Sequence, residues 1–141
     1  MHADSFARQA LCAQRAMTPP LIAVIDDDPV FVDLMRAFLE TEGYAVTHWE
    51  RGRGAVGFIR RERPALVLLD VRMEDAEAGR RVLARLGADR PAVLLCTADT
   101  RFLAQHAAWL NGRCDGVLAK PFDLDELLEL IERALRERPA G

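Results

Sequence analysis

Five short, continuous apolar runs alternate with stretches of helical periodicity between Leu21 and Arg136, and no other feature restricts the fold as strongly. Residues 21–25, 44–49, 65–69, 92–96 and 116–119 read as strands. Residues 29–42, 54–62, 78–86, 101–110 and 123–136 read as helices, with Gly43 and Pro64 marking ends. The first helix carries Val30, Leu34 and Phe38 on one face, with Asp28 before Pro29 as its cap. The last has Asp123 at its N-cap, Glu126 three residues on as a capping-box variant, and Leu124, Leu127, Leu128, Ile131 and Leu135 along one face. Strands that are apolar throughout, rather than alternating, indicate a parallel sheet covered on both faces. The predicted fold class is therefore a doubly wound five-stranded α/β fold. Such folds bind ligands beyond the carboxyl ends of the strands.

Those strand ends carry the chemistry: Asp26-Asp27-Asp28 after the first, Asp70 at the third, Thr97 after the fourth, Lys120-Pro121 after the fifth. Carboxylates brought together on one sheet edge repel, and a hard divalent cation with oxygen ligands relieves that repulsion, which predicts Mg2+ rather than zinc. The Thr97 hydroxyl and the Lys120 ammonium supply a hydrogen bond and a point charge for a tetrahedral anion. Asp70, alone at the tip of a central strand, is the candidate phosphoryl acceptor, with the first-strand carboxylates holding the metal. Each residue has an ordinary reading as turn, cap or surface group, and Asp28 fits the cap. Their occurrence together at successive strand ends of one sheet is what points to phosphoryl chemistry.

Composition narrows the function classes. The 141 residues, 50% hydrophobic, suffice for one packed core. A net charge of -3 gives no footprint for a phosphate backbone, so direct nucleic-acid binding is not expected. Cys12, Cys96 and Cys114 are too scattered for a disulfide framework or metal site, and His2, His48 and His106 lack ligand spacing. No apolar run approaches the roughly 20 residues that span a bilayer, which makes a cytoplasmic location the expectation. Of 19 basic residues only Lys120 is a lysine. The expected organisation is a flexible N-terminal tail over 1–19, in which Met17 is an alternative start, one domain over 20–138, and a short tail over 139–141.

The segments IAVIDDDPVFVDLMRAFLE, LVLLDVRM, VLLCTAD and GVLAKPFD, in this order and spacing, resemble the receiver domain of bacterial two-component response regulators, here of the stand-alone type. The resemblance implies strand order 2-1-3-4-5 and Asp70 as phosphoacceptor. It implies Mg2+ on Asp26, Asp27, Asp70 and the backbone carbonyl of Arg72, with Thr97 and Lys120 on the phosphoryl group. It also implies a sensor histidine kinase or histidine phosphotransfer protein as donor, and a downstream protein bound on the fourth helix, fifth strand and fifth helix. A homodimer is left open.

Three departures stand out. Glu74 replaces the family's proline, the glycine usually eight residues past the acceptor falls nine past it at Gly79, and Val117 replaces the aromatic switch residue. With Val117 unable to swing between rotamers, the signal is expected to pass from Thr97 through residues 98–100 to the fourth helix and Trp109. Two other functions fit part of the pattern. One is a receiver-like interaction module that is never phosphorylated. The other is a haloacid-dehalogenase-like phosphatase using Asp26 in D-x-D-x-[TV].

Overall fold

A computed structural model describes residues 18–138. Residues 1–17 of the tail predicted over 1–19, with His2, Cys12 and Met17, and the tail over 139–141 lie outside the described residues. The elements run β1 (Leu21–Ile25), α1 (Pro29–Thr41), β2 (Ala45–Trp49), α2 (Ala55–Glu62), β3 (Leu66–Leu69), α3 (Ala78–Arg85), β4 (Ala92–Thr97), α4 (Thr100–Gln105), α5 (Ala107–Leu110), β5 (Gly116–Ala119) and α6 (Leu124–Glu137). All strand pairs are parallel, in the order β2-β1-β3-β4-β5.

Alternate residues of the three central strands feed two cores. Ile22, Val24, Leu66, Leu68, Leu94 and Cys96 pack under α1 and α6, whereas Ala23, Ile25, Val67, Leu69, Val93 and Leu95 pack under α2, α3 and the α4–α5 segment. β1, β3 and β4 are almost wholly buried, which is why their sequences are apolar throughout. The edge strands β2 and β5 are only half covered.

Two helical expectations are corrected. α1 buries Val32, Met35 and Leu39, flanked by Phe31 and Phe38, and leaves Val30 74% and Leu34 52% exposed. Both stripes have helical spacing, and the position of α1 on the sheet selects the first. The single helix read over 101–110 is interrupted at His106, whose ring stacks on Phe102 at 4.2 Å and whose backbone separates α4 from α5. The caps are local: Asp28 accepts from the Val30 amide and Asp123 from that of Asp125, each satisfying an otherwise free N–H of the first turn.

Candidate phosphoryl-transfer site

The chain leaves β1 towards β2 on one side and later reaches β4 through β3 on the other, so strand order reverses between β1 and β3. Ile25 and Leu69 are register partners at that point, and Asp26 and Asp70 follow them directly. The Asp70 amide donates to the Ile25 carbonyl at 3.0 Å, and the Lys120 amide donates to the Thr97 carbonyl at 2.8 Å. Backbone pairing thus brings the tips of β1, β3, β4 and β5 to one edge.

Carboxylate oxygens of Asp26, Asp27 and Asp70 lie within 4.8 Å of one another. Asp26 is buried and Asp27 exposed, so the cluster has a closed side and an open one. The Lys120 ammonium sits 2.7 Å from Asp26 Oδ2 and 3.4 Å from Asp70 Oδ2, and 3.9 Å from the centre of the Phe31 ring. Burial pushes the Asp26 carboxyl above its ordinary value, and the Lys120 hydrogen bond only partly opposes this. Burial alone would lower Lys120, but the two carboxylates outweigh it and keep the ammonium charged. One ammonium facing three carboxylates leaves net negative charge on hard oxygen donors, a set that fits Mg2+. Thr97, 1% exposed at the end of β4, accepts from the Asp99 amide at 3.1 Å. Arg72, on the loop after Asp70, pairs with Asp99 at 3.4 Å across the site. Cys96 lies beneath, its thiol pushed up to about 12 by burial, so it stays protonated.

A family model described as the response regulator receiver domain matches residues 22–132. The chain belongs to this family. A response regulator named MprA from Mycolicibacterium vanbaalenii is 36% identical over 121 residues, covering 84% of this chain and 51% of the relative. The chain spans about half the length of the first such relatives it matches. Among solved structures, a CheY-like receiver domain protein of Methanospirillum hungatei is 28% identical with a TM-score of 0.74, over 85% of this chain and 96% of that one. The response regulator TrrA of Thermotoga maritima, solved in complex with Mg(2+)-BeF, is 28% identical with a TM-score of 0.72, over 82% and 99%. Membership of the receiver family disfavours the haloacid-dehalogenase-like reading.

Within this receiver domain the departures acquire a geometry. Gly79 donates to the Val71 carbonyl at 2.8 Å, and a Cβ there would collide with the Asp70 carbonyl oxygen and lie 2.6 Å from Val71 Cα. Only glycine lets α3 approach the backbone of Asp70 so closely. Val117 is 39% exposed on β5. Trp109 is half-buried between Arg113 of the following turn, 4.4 Å from the ring centre, and Arg80 of α3 at 5.3 Å. Sequence reasoning missed both arginines: Arg80 meets Trp109 only through the docking of α3 and α5, whereas Arg113 lies four residues on and that local spacing was the available signal. His48 bonds Arg36 and His106 bonds the Phe102 carbonyl, so neither belongs to the acid cluster.

A cavity of about 750 Å3 lies at the opposite end of the sheet among Arg60, Arg63, Arg90 and Arg138. The C-terminal ends of α2, α3 and α6 converge there, and arginines at that end complement the negative helix poles.

Proposed function

We propose that this receiver domain, acting through residues 20–138, takes a phosphoryl group on Asp70 in two-component or phosphorelay signalling. The observation that carries the reading is the cluster of Asp26, Asp27 and Asp70 with the Lys120 ammonium against it. An Asp70 carboxylate oxygen attacks the phosphorus of a phosphohistidine, or of a small acyl phosphate. The new P–O bond forms as the bond to the donor nitrogen or oxygen breaks, and the leaving group departs with its electron pair. Bound Mg2+, held by Asp26, Asp27, Asp70 and the Arg72 carbonyl, would neutralise the oxygens of the transferring group. Lys120 exchanges part of its pairing with Asp26 for a phosphoryl oxygen, and the Thr97 hydroxyl donates to another. That TrrA was solved with Mg(2+)-BeF supports the same ligand class here.

The donor is a sensor histidine kinase or a histidine phosphotransfer protein, and the output partner docks on the face formed by α4, α5, β5 and α6. The domain catalyses only its own phosphorylation and dephosphorylation. Among the described residues no helix is long and apolar enough to cross a membrane.

The test is incubation with acetyl phosphate and Mg2+ followed by intact-mass measurement. The wild-type protein gains one hydroxylamine-labile phosphoryl group, and Asp70→Asn, nearly isosteric at the strand tip, gains none while keeping its circular dichroism spectrum. An unmodified wild-type protein would leave the reading of a non-phosphorylated interaction module. Equal labelling of the Asn variant would move the acceptor elsewhere.

A further inference from the structure

Residues 71–77 join β3 to α3 without regular secondary structure, and backbone bonds from the Met73 amide to the Asp75 carbonyl at 3.2 Å and from the Gly79 amide to the Val71 carbonyl at 2.8 Å share the shaping of this loop with side chains. Asp75 shapes its far half: the carboxylate accepts from the Glu77 amide at 2.8 Å and from Arg81 at 2.6 Å. Glu74 faces the other way. Its Oε1 accepts from the Gly52 amide at 2.7 Å and its Oε2 from the Arg53 amide at 2.8 Å, so one carboxylate straddles two consecutive amides of the β2–α2 loop.

That loop is a firm anchorage. The Trp49 indole N–H donates to the Arg53 carbonyl at 2.9 Å, and the Trp49 ring stacks on Phe58 of α2. A Cβ on Gly52 would lie 3.1 Å from both Cβ and the carbonyl oxygen of Ala78 at the start of α3, so backbone meets helix there with no side chain between. The strap therefore joins the middle of the acceptor loop, two residues beyond Arg72, to a scaffold held by packing on two sides.

We infer that Glu74 is a positioning residue: by straddling the Gly52 and Arg53 amides, it holds the acceptor loop in the shape that presents the Arg72 carbonyl to the divalent cation. The inference rests on the reading of the acidic edge as a Mg2+ site. Without the strap, several backbone dihedrals between Val71 and Ala78 are released, and the cation must order them as it binds. The weakened quantity is metal affinity, with the fold retained.

The test uses the full chain, isotope-labelled for amide NMR, titrated with MgCl2 as wild type, Glu74→Ala, Glu74→Gln and Asp27→Ala. In the metal-free state Glu74→Ala should lose hydrogen-exchange protection at the Gly52 and Arg53 amides. Its Mg2+ dissociation constant should rise about fivefold, below the usual range for buried outer-shell partners because this strap is solvent-exposed. Glu74→Gln keeps an acceptor oxygen without the charge and should fall between Ala and wild type, which supplies a second variant if Ala folds poorly. A purely structural strap would lower the melting temperature and strip protection while leaving the Mg2+ affinity of both Glu74 variants at the wild-type value, and that result overturns the inference. If wild type binds no Mg2+, or Asp27→Ala binds as tightly as wild type, the assignment of the metal site fails instead.

Discussion

Asp26 and Asp27 are consecutive yet differ in what their environments ask of them. Asp26 is 2% exposed, bonded to Lys120 and to the Asp28 amide, and its carboxyl is raised by burial. It is the fixed wall of the site. Asp27 is exposed and closes the cluster from the solvent side, so its carboxylate is the one a cation recruits with least rearrangement. Mg2+ should therefore stabilise the domain by selective binding to the native state, by about 2.7 kcal/mol at a hundredfold excess over Kd. Asp27→Ala should lose most of this upward shift in Tm. An equal shift in the variant would show that Asp27 is not a ligand. Gly79 is the other residue with no freedom. Gly79→Ala sets a methyl group against the backbone of Asp70 and Val71, and backbone cannot rotate away as a side chain would. A loss of about 3 kcal/mol is expected in urea unfolding, with weaker Mg2+ binding because the acceptor backbone is displaced.

Among the elements, the α4–α5 segment is tied by hydrogen bonds to the end of β4. Thr97 and Asp99 couple it to the site: Thr97 Oγ1 accepts from the Asp99 amide, while the Asp99 carboxylate caps α4 through the Phe102 amide and pairs with Arg72. Turning the Thr97 hydroxyl toward a phosphoryl oxygen removes the acceptor from the Asp99 amide and so disturbs that cap. Trp109 has a second connection, because Arg80 lies on its ring and adjoins Gly79, which touches the backbone of Asp70 and Val71. In a Trp49→Phe background, beryllofluoride with Mg2+ should shift Trp109 emission, and Thr97→Ala should remove most of the shift while the ligand still binds. Persistence in Thr97→Ala with loss in Arg80→Ala would route the signal through α3. A silent Trp109 at saturating ligand would exclude both routes.

For the molecule as a whole, the tie that closes the fold lies at the end of the sheet away from the chemistry. Asp115, just before β5, accepts from Arg90 at 2.7 Å and from the Val93 amide at 2.8 Å, and Arg138 beyond α6 reaches it at 3.5 Å. Strand β4, the approach to β5 and the end of the covering helix are joined by this one carboxylate. Asp115→Ala would leave the Arg90 guanidinium, 6% exposed, without its charge partner, and should cost about 3 kcal/mol in urea unfolding at pH 7. Burial alone would raise the Asp115 carboxyl, but hydrogen bonds from Arg90 and Val93, with the charges of Arg90 and Arg138, hold it below the ordinary 3.8. Its stabilisation is full above that value and fades as pH falls through the lower folded one, so wild type and Asp115→Ala should converge in stability at acid pH. A constant gap down to acid unfolding would show that the charge contributes nothing. Asp26 has the opposite sign: its raised carboxyl makes the folded state less favourable as pH rises past 3.8.

The amino-acid sequence by itself determined the fold class and the membership of the acidic edge. An apolar strand must be covered on both faces wherever it lies, and the residue after a parallel strand lands on one edge whichever strand is its neighbour. For that reason Asp26, Asp70, Thr97 and Lys120 could be grouped before any coordinates. Only the tertiary structure decided the pairings across that edge. Lys120 lies closer to Asp26 than to Asp70, Glu74 bonds the amides of residues 52 and 53, and Arg80 lies on Trp109. It also chose Val32, Met35 and Leu39 over Val30, Leu34 and Phe38 as the centre of the buried face of α1. Helical periodicity offers two neighbouring stripes of comparable hydrophobicity, and which one is buried depends on how far the helix rotates as it docks on the sheet. Contacts between loops depend on strand order, loop shape and helix docking together, none of which a local pattern of apolar and polar residues contains.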